Sequence, residues 1–226
     1  MANIEEPTRI SSPGRHRSCW PRFTNITTLP PPRGIDRSFL SVVSGRRSAC
    51  TFGPLALEDL SSWLYFTASS QNRNQTDENR RRGFAPSFGA LQSTHLLIGA
   101  PENSWSVYLP VQHCLAQLDN VSSAGRNLRS LAMDVFDAPV SWIVALISDS
   151  DLAGNYYNHP ESLQLRDAGV LLGHGALVAE AWDLPFRILG ALGSPWSLEL
   201  LGSIPVKLTA TGVALLGGPV DSAEKA

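Results

Sequence analysis

RRRGFAPSFGALQSTHLLIG, residues Arg80–Gly99, is the stretch on which the reading of this chain turns. It runs from three arginines through a Pro86-Ser87 turn and a small Gly89-Ala90 step into an apolar segment. Pro86 fixes the turn, Ser87 brings a hydroxyl that can donate to an oxygen or a ring nitrogen, and Gly89-Ala90 let a planar ligand reach backbone N–H groups. Gln92 and His95 add polar tips. As plain structure, the same residues are a loop leading into a sheet, with glycine chosen for steric reasons. As a site, they leave room for something flat and anionic.

Working outward, THLLIGA and PENSWSVYLP read as two strands joined by a Pro-Glu-Asn turn. Upstream, LALEDLSSWLYFTASS (Leu55–Ser70) carries apolar residues at Leu57, Leu60, Leu64 and Ala68, the steps of three and four of a helical face. SFLSVV (Ser38–Val43) predicts a short helix with Phe39, Leu40 and Val43 inward, ended by Gly45; RRSACTF follows as an extended segment. The polar QNRNQTDENRRRG reads as a mobile loop.

Downstream, QHCLAQLDNVSSAGRNLRSLAMDVF reads as helical material broken near Gly125. VSWIVALIS (Val140–Ser148) is apolar enough for a strand covered on both faces. LQLRDAGVLLGHGALVAEAWDL (Leu163–Leu184) predicts a central helix, approached closely by its neighbours across small residues, and VKLTATGVALLGG (Val206–Gly218) a closing strand. A hairpin followed by alternating helices and strands makes α+β the expected class. Residues 1–34, rich in Pro, Ser, Thr and Arg, predict an extended or disordered arm, perhaps laid over a neighbour, with the folded domain spanning 35–226.

The totals suit a soluble globular domain: 226 residues, 43 % hydrophobic, 17 % charged. No apolar run is long enough to span a membrane, and the N-terminus lacks the apolar core of a secretory signal. Three scattered cysteines form no CxxC pair, and five histidines show no ligand spacing, so neither a disulfide framework nor a metal site is expected. A reducing cytoplasm suits them. Charge is uneven: residues 1–82 hold 12 Arg and 7 acids, a balance of +5, and residues 83–226 hold 6 basic residues and 13 acids, a balance of −7. The arginines lie among prolines and serines without interleaved aromatics, which argues against nucleic acid.

Arg46-Arg47-Ser48, two guanidiniums and a hydroxyl just after a helix, have the chemistry of a phosphate or polyol clamp, although adjacent arginines are also an ordinary solvated turn. Asn155-Tyr156-Tyr157 precede the long helix, where a tyrosine serves as proton donor, stacking face or surface filler. Asp167 is placed to cap locally or to pair with Arg166, and His174 reads as a core residue. GxSxG, GxxxxGK[ST] and GxGxxG are all missing, which removes support for triad hydrolases, P-loop enzymes and Rossmann dehydrogenases.

The order of these weak motifs carries more than any one of them. Arg-Arg-Ser, then FGPLALEDLSSWLYFTAS, then R-x-x-x-PSFGALQSTHLLI, then Tyr-x10-Asp-Ala-Gly opening an apolar helix, then VALLGGPVD, resembles the nitroreductase-like flavoproteins. Within them it is most similar to the SagB-type dehydrogenases, which oxidise azolines in modified peptides. The likeness runs from about Phe39 to Lys225. It implies a central, mainly antiparallel sheet flanked by helices with a long central helix, and a homodimer holding FMN between subunits. By position, Arg46, Arg47 and Ser48 would hold the phosphate and ribityl chain. Pro86, Ser87 and Gly89 of the other subunit would line the isoalloxazine, Gly190 would lie beside the ring, and Lys225 would fall near a C-terminal phosphate-binding base. Tyr156 would transfer a proton or position the substrate.

The resemblance implies FMN-dependent two-electron oxidation of a peptide-derived or small organic substrate, with no nucleic acid or membrane partner. The alternatives are an NAD(P)H-dependent nitro or quinone reductase, or an inactive nitroreductase-like subunit serving binding or assembly. Three departures stand out. Cys50 replaces a third basic residue, Asn155 stands where the branch often has lysine, and Asp183-Leu184 replaces a Gly-Leu step.

Overall fold

In the computed structural model, residues 5–14, 16, 20–21, 23–70, 80, 82–119 and 123–220 are described. Among them nine strands and six helices follow one another: β1 (Thr8–Arg9), β2 (Phe23–Thr28), α1 (Phe39–Gly45), α2 (Leu57–Ala68), β3 (Thr94–Gly99), β4 (Trp105–Leu109), β5 (Cys114–Leu118), α3 (Ser123–Val135), β6 (Trp142–Asp149), α4 (Ser150–Tyr156), β7 (Tyr157–Asn158), α5 (Glu161–Ala181), β8 (Phe186–Leu189), α6 (Trp196–Glu199) and β9 (Leu208–Leu216). Seven strands form one sheet in the order β2-β5-β4-β3-β6-β9-β8, every pairing antiparallel. The α+β class and the antiparallel sheet expected from the sequence are both found.

The strand alternation sorts side chains into two cores, one on each face of the sheet. Leu96 and Ile98 of β3, Val144 and Leu146 of β6, and Ala214 and Leu216 of β9 face α2 and α5. Leu97, Ile143, Ala145, Ile147, Val213 and Leu215 face the opposite way, toward α3. This is the period-two signature of strands covered on both sides. Helices α2 and α5 approach closely at Gly175, where an added Cβ would lie 3.0 Å from the Trp63 ring. The gap lets the buried Trp63 indole donate to the Gly175 carbonyl at 2.9 Å.

Buried serines explain how α2 anchors the proline segment. Ser61 Oγ donates to Pro30 O, and Ser62 Oγ accepts from Arg33 N at 3.1 Å while donating to Glu58 O. His113 lies between Ser61 and Tyr108, 2.9 Å from each hydroxyl, so the β4–β5 turn joins the same network. Two pieces within the expected arm pair with the body: β2 forms the edge of the sheet against β5, and β1 pairs with β7.

Three details differ from the sequence reading. Cys114–Leu118 is a strand, because Pro110–His113 turns the chain back on β4 and the segment finds hydrogen-bonding partners on both sides. Helix α3 then runs through Gly125 unbroken. On α1 it is Val42 that is buried, whereas Phe39 and Leu40 are 72 % and 77 % exposed and Val43 is also exposed. The strand β8 was not foreseen. Among the described residues no helix is long and apolar enough to cross a membrane, and no group of three or more His, Cys, Asp or Glu is placed to hold a metal ion.

Candidate functional site

The predicted site residues fall into two groups at opposite ends of α5. The first surrounds the chain after α1. Ser38 caps that helix, its side chain accepting from Ser41 N at 3.2 Å, and the Arg46 amide closes the last turn on Val42 O at 3.0 Å. Arg47 folds its guanidinium over the carbonyls of Ser44 and Arg46, at 2.8 and 2.9 Å, a favourable position for a cation at a helix C-terminus. Arg46 is half-buried; Arg47 and Ser48 are exposed.

The segment then docks on β8, where Ala49 N donates to Phe186 O at 3.0 Å and Arg187 donates to Ala49 O at 2.9 Å. The same guanidinium lies 3.8 Å from Cys50 Sγ and 4.0 Å from the Phe136 ring centroid. A cation thus stands beside the position where Cys50 removed one. Gly190 follows β8 on the surface, and a Cβ there would meet nothing within 4 Å.

The second group is the Pro86–Gln92 turn. Gly89 has φ +57°, within the left-handed region that costs a side-chain-bearing residue energy, and an added Cβ would come 2.8 Å from Tyr157 Oη. Ala90 and Gln92 also carry positive φ, so the backbone bends away from its ordinary path and presents its peptide edges. Two side chains hold it so. The Asp167 carboxylate of α5 accepts from Phe88 N with both oxygens, at 3.1 and 3.2 Å. Ser87 Oγ accepts from Gln92 N at 3.2 Å and from Gln92 Nε2 at 3.0 Å, which leaves the hydroxyl proton to donate elsewhere.

Asp167 is only 8 % exposed, and burial pushes its carboxyl up to about 6 against the opposing pull of the Phe88 N–H and Arg166. Among the tyrosines, Tyr156 is 4 % exposed and packs with Leu91 and Leu152, with the Arg80 guanidinium 5.1 Å over its ring. Its neighbour Tyr157 is half-buried, edge-on to Phe88 at 5.4 Å between centroids, with its hydroxyl toward Gly89. Adjacent residues where a helix passes into a strand face different ways, so only the folded chain separates the two. Asn155 clamps the N-terminal segment, accepting from Gly14 N at 2.8 Å and donating to Gly14 O at 2.6 Å. Lys225 lies outside the described residues.

The two groups do not meet within one chain. Asp167 marks the turn and Glu180 the clamp, since a Cβ on Gly45 would collide with the Glu180 carboxylate. Thirteen helical residues at 1.5 Å each separate these marks by roughly 20 Å. Between them α5 shows Leu165, Gly169, Val170 and Gly173 to solvent, with open space above both glycines. Arg187, Asp167 and Tyr157 are the members sequence reasoning missed. Only Asp167, three residues beyond the last polar position of a helix start, had a signal of its own.

No protein-family model matches the sequence, and no curated protein matches it. Solved structures do. A protein assigned as a nitroreductase from Ralstonia eutropha aligns with TM-score 0.71 at 19 % identity, over 93 % of this chain and 98 % of that one. The Escherichia coli microcin synthetase McbBCD complex with truncated pro-MccB17 bound aligns with TM-score 0.60 at 17 % identity, over 85 % and 77 %. A protein assigned as a nitroreductase from Desulfovibrio desulfuricans, in complex with FMN, aligns with TM-score 0.52 at 17 % identity, over 82 % and 88 %. The fold of this chain is the nitroreductase fold.

Proposed function

We propose that this protein is an FMN-dependent oxidoreductase working as a homodimer, each flavin held by the Arg46 clamp of one subunit and the Pro86–Gly89 turn of the other. The observation that carries this reading is the placement of the two half-sites at opposite ends of one helix whose middle is open and made of small and apolar residues. A two-fold axis through that middle sets α5 against its copy in antiparallel fashion. The clamp of each chain then comes beside the turn of its partner, twice.

The residues fit the group. Arg46, Arg47 and Ser48 would hold the phosphate, with Arg187 beside Cys50 supplying the third cation. Ser87 would donate its free proton to the ring, and Gly190 leaves space at its edge. Bound FMN supplies two-electron hydride chemistry, with dioxygen as the expected final acceptor. Tyr157, over Gly89, is better placed than the buried Tyr156 to touch a substrate, and Tyr156 then acts by holding the turn through Leu91. The substrate in this reading is a peptide-derived or small organic molecule undergoing oxidation, supported by the order of sequence motifs and by the fold shared with the microcin synthetase complex.

Purified protein should absorb near ~450 nm. Arg46→Ala should weaken FMN binding about 10- to 150-fold, the equivalent of the ~1.5–3 kcal/mol of a charge-assisted contact, with folding little changed. Unaltered flavin occupancy in that variant would remove the clamp from the site. Flavin reduction by NAD(P)H would instead favour a nitro or quinone reductase. A second reading, a flavin-free subunit serving binding or assembly, is favoured by Asn155, which is spent on Gly14 where the resembling branch carries its lysine. A colourless protein that gains no colour with added FMN would select it.

A further inference from the structure

Behind the Pro86–Gln92 turn lies a cavity of about 360 Å³, walled by the end of α2, the start of β3 and the β4–β5 turn, and closed on one side by the N-terminal segment. It is separate from both half-sites and exists within a single chain. The closing side is fixed: His16 Nε2 stands 2.9 Å from Asp149 Oδ2, and Trp20 is edge-on to His95 with centroids 4.7 Å apart. Asp149 is itself buried and also caps α4 by accepting from Leu152 N at 2.8 Å.

The lining has a distinct chemistry. Among the described residues it includes no Asp, Glu, Lys or Arg. Trp20 and Tyr108 give aromatic surface, and Ser69, Gln92, Thr94 and Gln112 give uncharged donors and acceptors. Ser69 is 1 % exposed, and its hydroxyl oxygen has no hydrogen-bond partner within the chain. A buried hydroxyl left so is costly unless something else meets it. The volume is more than twice the ~150 Å³ that admits one benzene ring and falls in the lower range of small-molecule sites.

We infer that this cavity is a binding site for a neutral, flat molecule of one or two rings bearing an amide or similar hydrogen-bonding group, which bonds Ser69 and packs on Trp20. A charged ligand would be stripped of water there with no opposite charge on the wall to meet it. The site needs no flavin. Its wall is nonetheless shared with the proposed flavin turn, because Gln92 both lines the cavity and donates to Ser87 Oγ.

The test uses the full-length protein as purified and three probes of one shape: benzamide, benzoate and benzamidine, titrated by calorimetry. Benzamide should bind at one per chain and its two charged isosteres much more weakly. Ser69→Ala should weaken benzamide about fivefold, and Trp20→Ala, on the outer segment, by a similar factor. Arg46→Ala, remote from the cavity, should leave benzamide binding intact whether or not it costs flavin. Absence of saturable binding, equal binding of the three probes, or indifference to both cavity variants would overturn the proposal. So would binding that vanishes with flavin in Arg46→Ala, since the probe would then sit on the flavin.

Discussion

Replacing Asp167 by asparagine separates the two tasks of this side chain. As a carboxylate it fixes Phe88 N, but burial raises its pKa to about 6 from a model value of 3.8. The sign follows directly. The folded protein binds a proton more readily than the unfolded chain, so stability is fullest below about pH 4 and is lost as pH rises through about 6. At 1.36 kcal/mol per pKa unit, the loss at neutral pH is at most about 3 kcal/mol, and less where solvent reaches the carboxyl.

Asparagine keeps an acceptor for Phe88 N without carrying charge. It forfeits only the difference between a charge-assisted and a neutral hydrogen bond, roughly 1 kcal/mol. Urea unfolding of both proteins across pH 4 to 8 should therefore give a difference that shifts in favour of Asp167→Asn between about pH 4 and 6 and is flat above. Asp167→Ala, which orphans the Phe88 N–H, should be destabilised by about 1–3 kcal/mol at every pH relative to asparagine. A difference between wild type and Asp167→Asn that is independent of pH, or that moves toward wild type as pH rises, would refute the account of Asp167.

Gly89→Ala should lose about 1–2 kcal/mol of stability from its positive φ, and Tyr157→Phe in the same chain should recover part of it by removing the hydroxyl; thermal melts of the single and double variants check both. Asn155→Ala should speed hydrogen exchange at the Gly14 amide and expose residues near it to limited proteolysis, since both clamp bonds go; unchanged exchange would show that the segment is held elsewhere. Val170→Glu, on the open face of α5, should turn a dimer into a monomer in sedimentation without lowering the melting temperature of the chain by more than about 2 °C; an unaltered dimer would place the two-fold axis elsewhere. Trp63→Phe should cost roughly 1–3 kcal/mol in urea unfolding, as the Gly175 carbonyl loses its donor inside the core.

How much was legible can be followed residue by residue. Leu96, Leu97 and Ile98 announce a strand buried on both faces, and a run of 21 residues without a breaking proline announces α5. The Pro86-Ser87-x-Gly89 turn was readable because glycine and proline restrict the backbone locally, whatever surrounds them. Cys114–Leu118 was not, because five residues fit a helical turn as well as a strand until β4 and β2 offer their hydrogen bonds. Nor was the outward tilt of Phe39 and Leu40, since a seven-residue helix turns only twice and its buried side depends on what packs against it.

Sequence by itself determined the apolar periodicities, the positions of the tight turns and the supply of arginines, serines and small residues, because each is set by local backbone sterics and by which side chains water rejects. Tertiary structure alone decided that the clamp and the turn stand roughly 20 Å apart on one helix, that Arg187 replaces the cation missing at Cys50, and that Tyr157 and not Tyr156 faces Gly89. Those are relations between residues distant along the chain. They are fixed by the packing of α5 on the sheet and by the pairing of β8 with β9, which no local preference encodes.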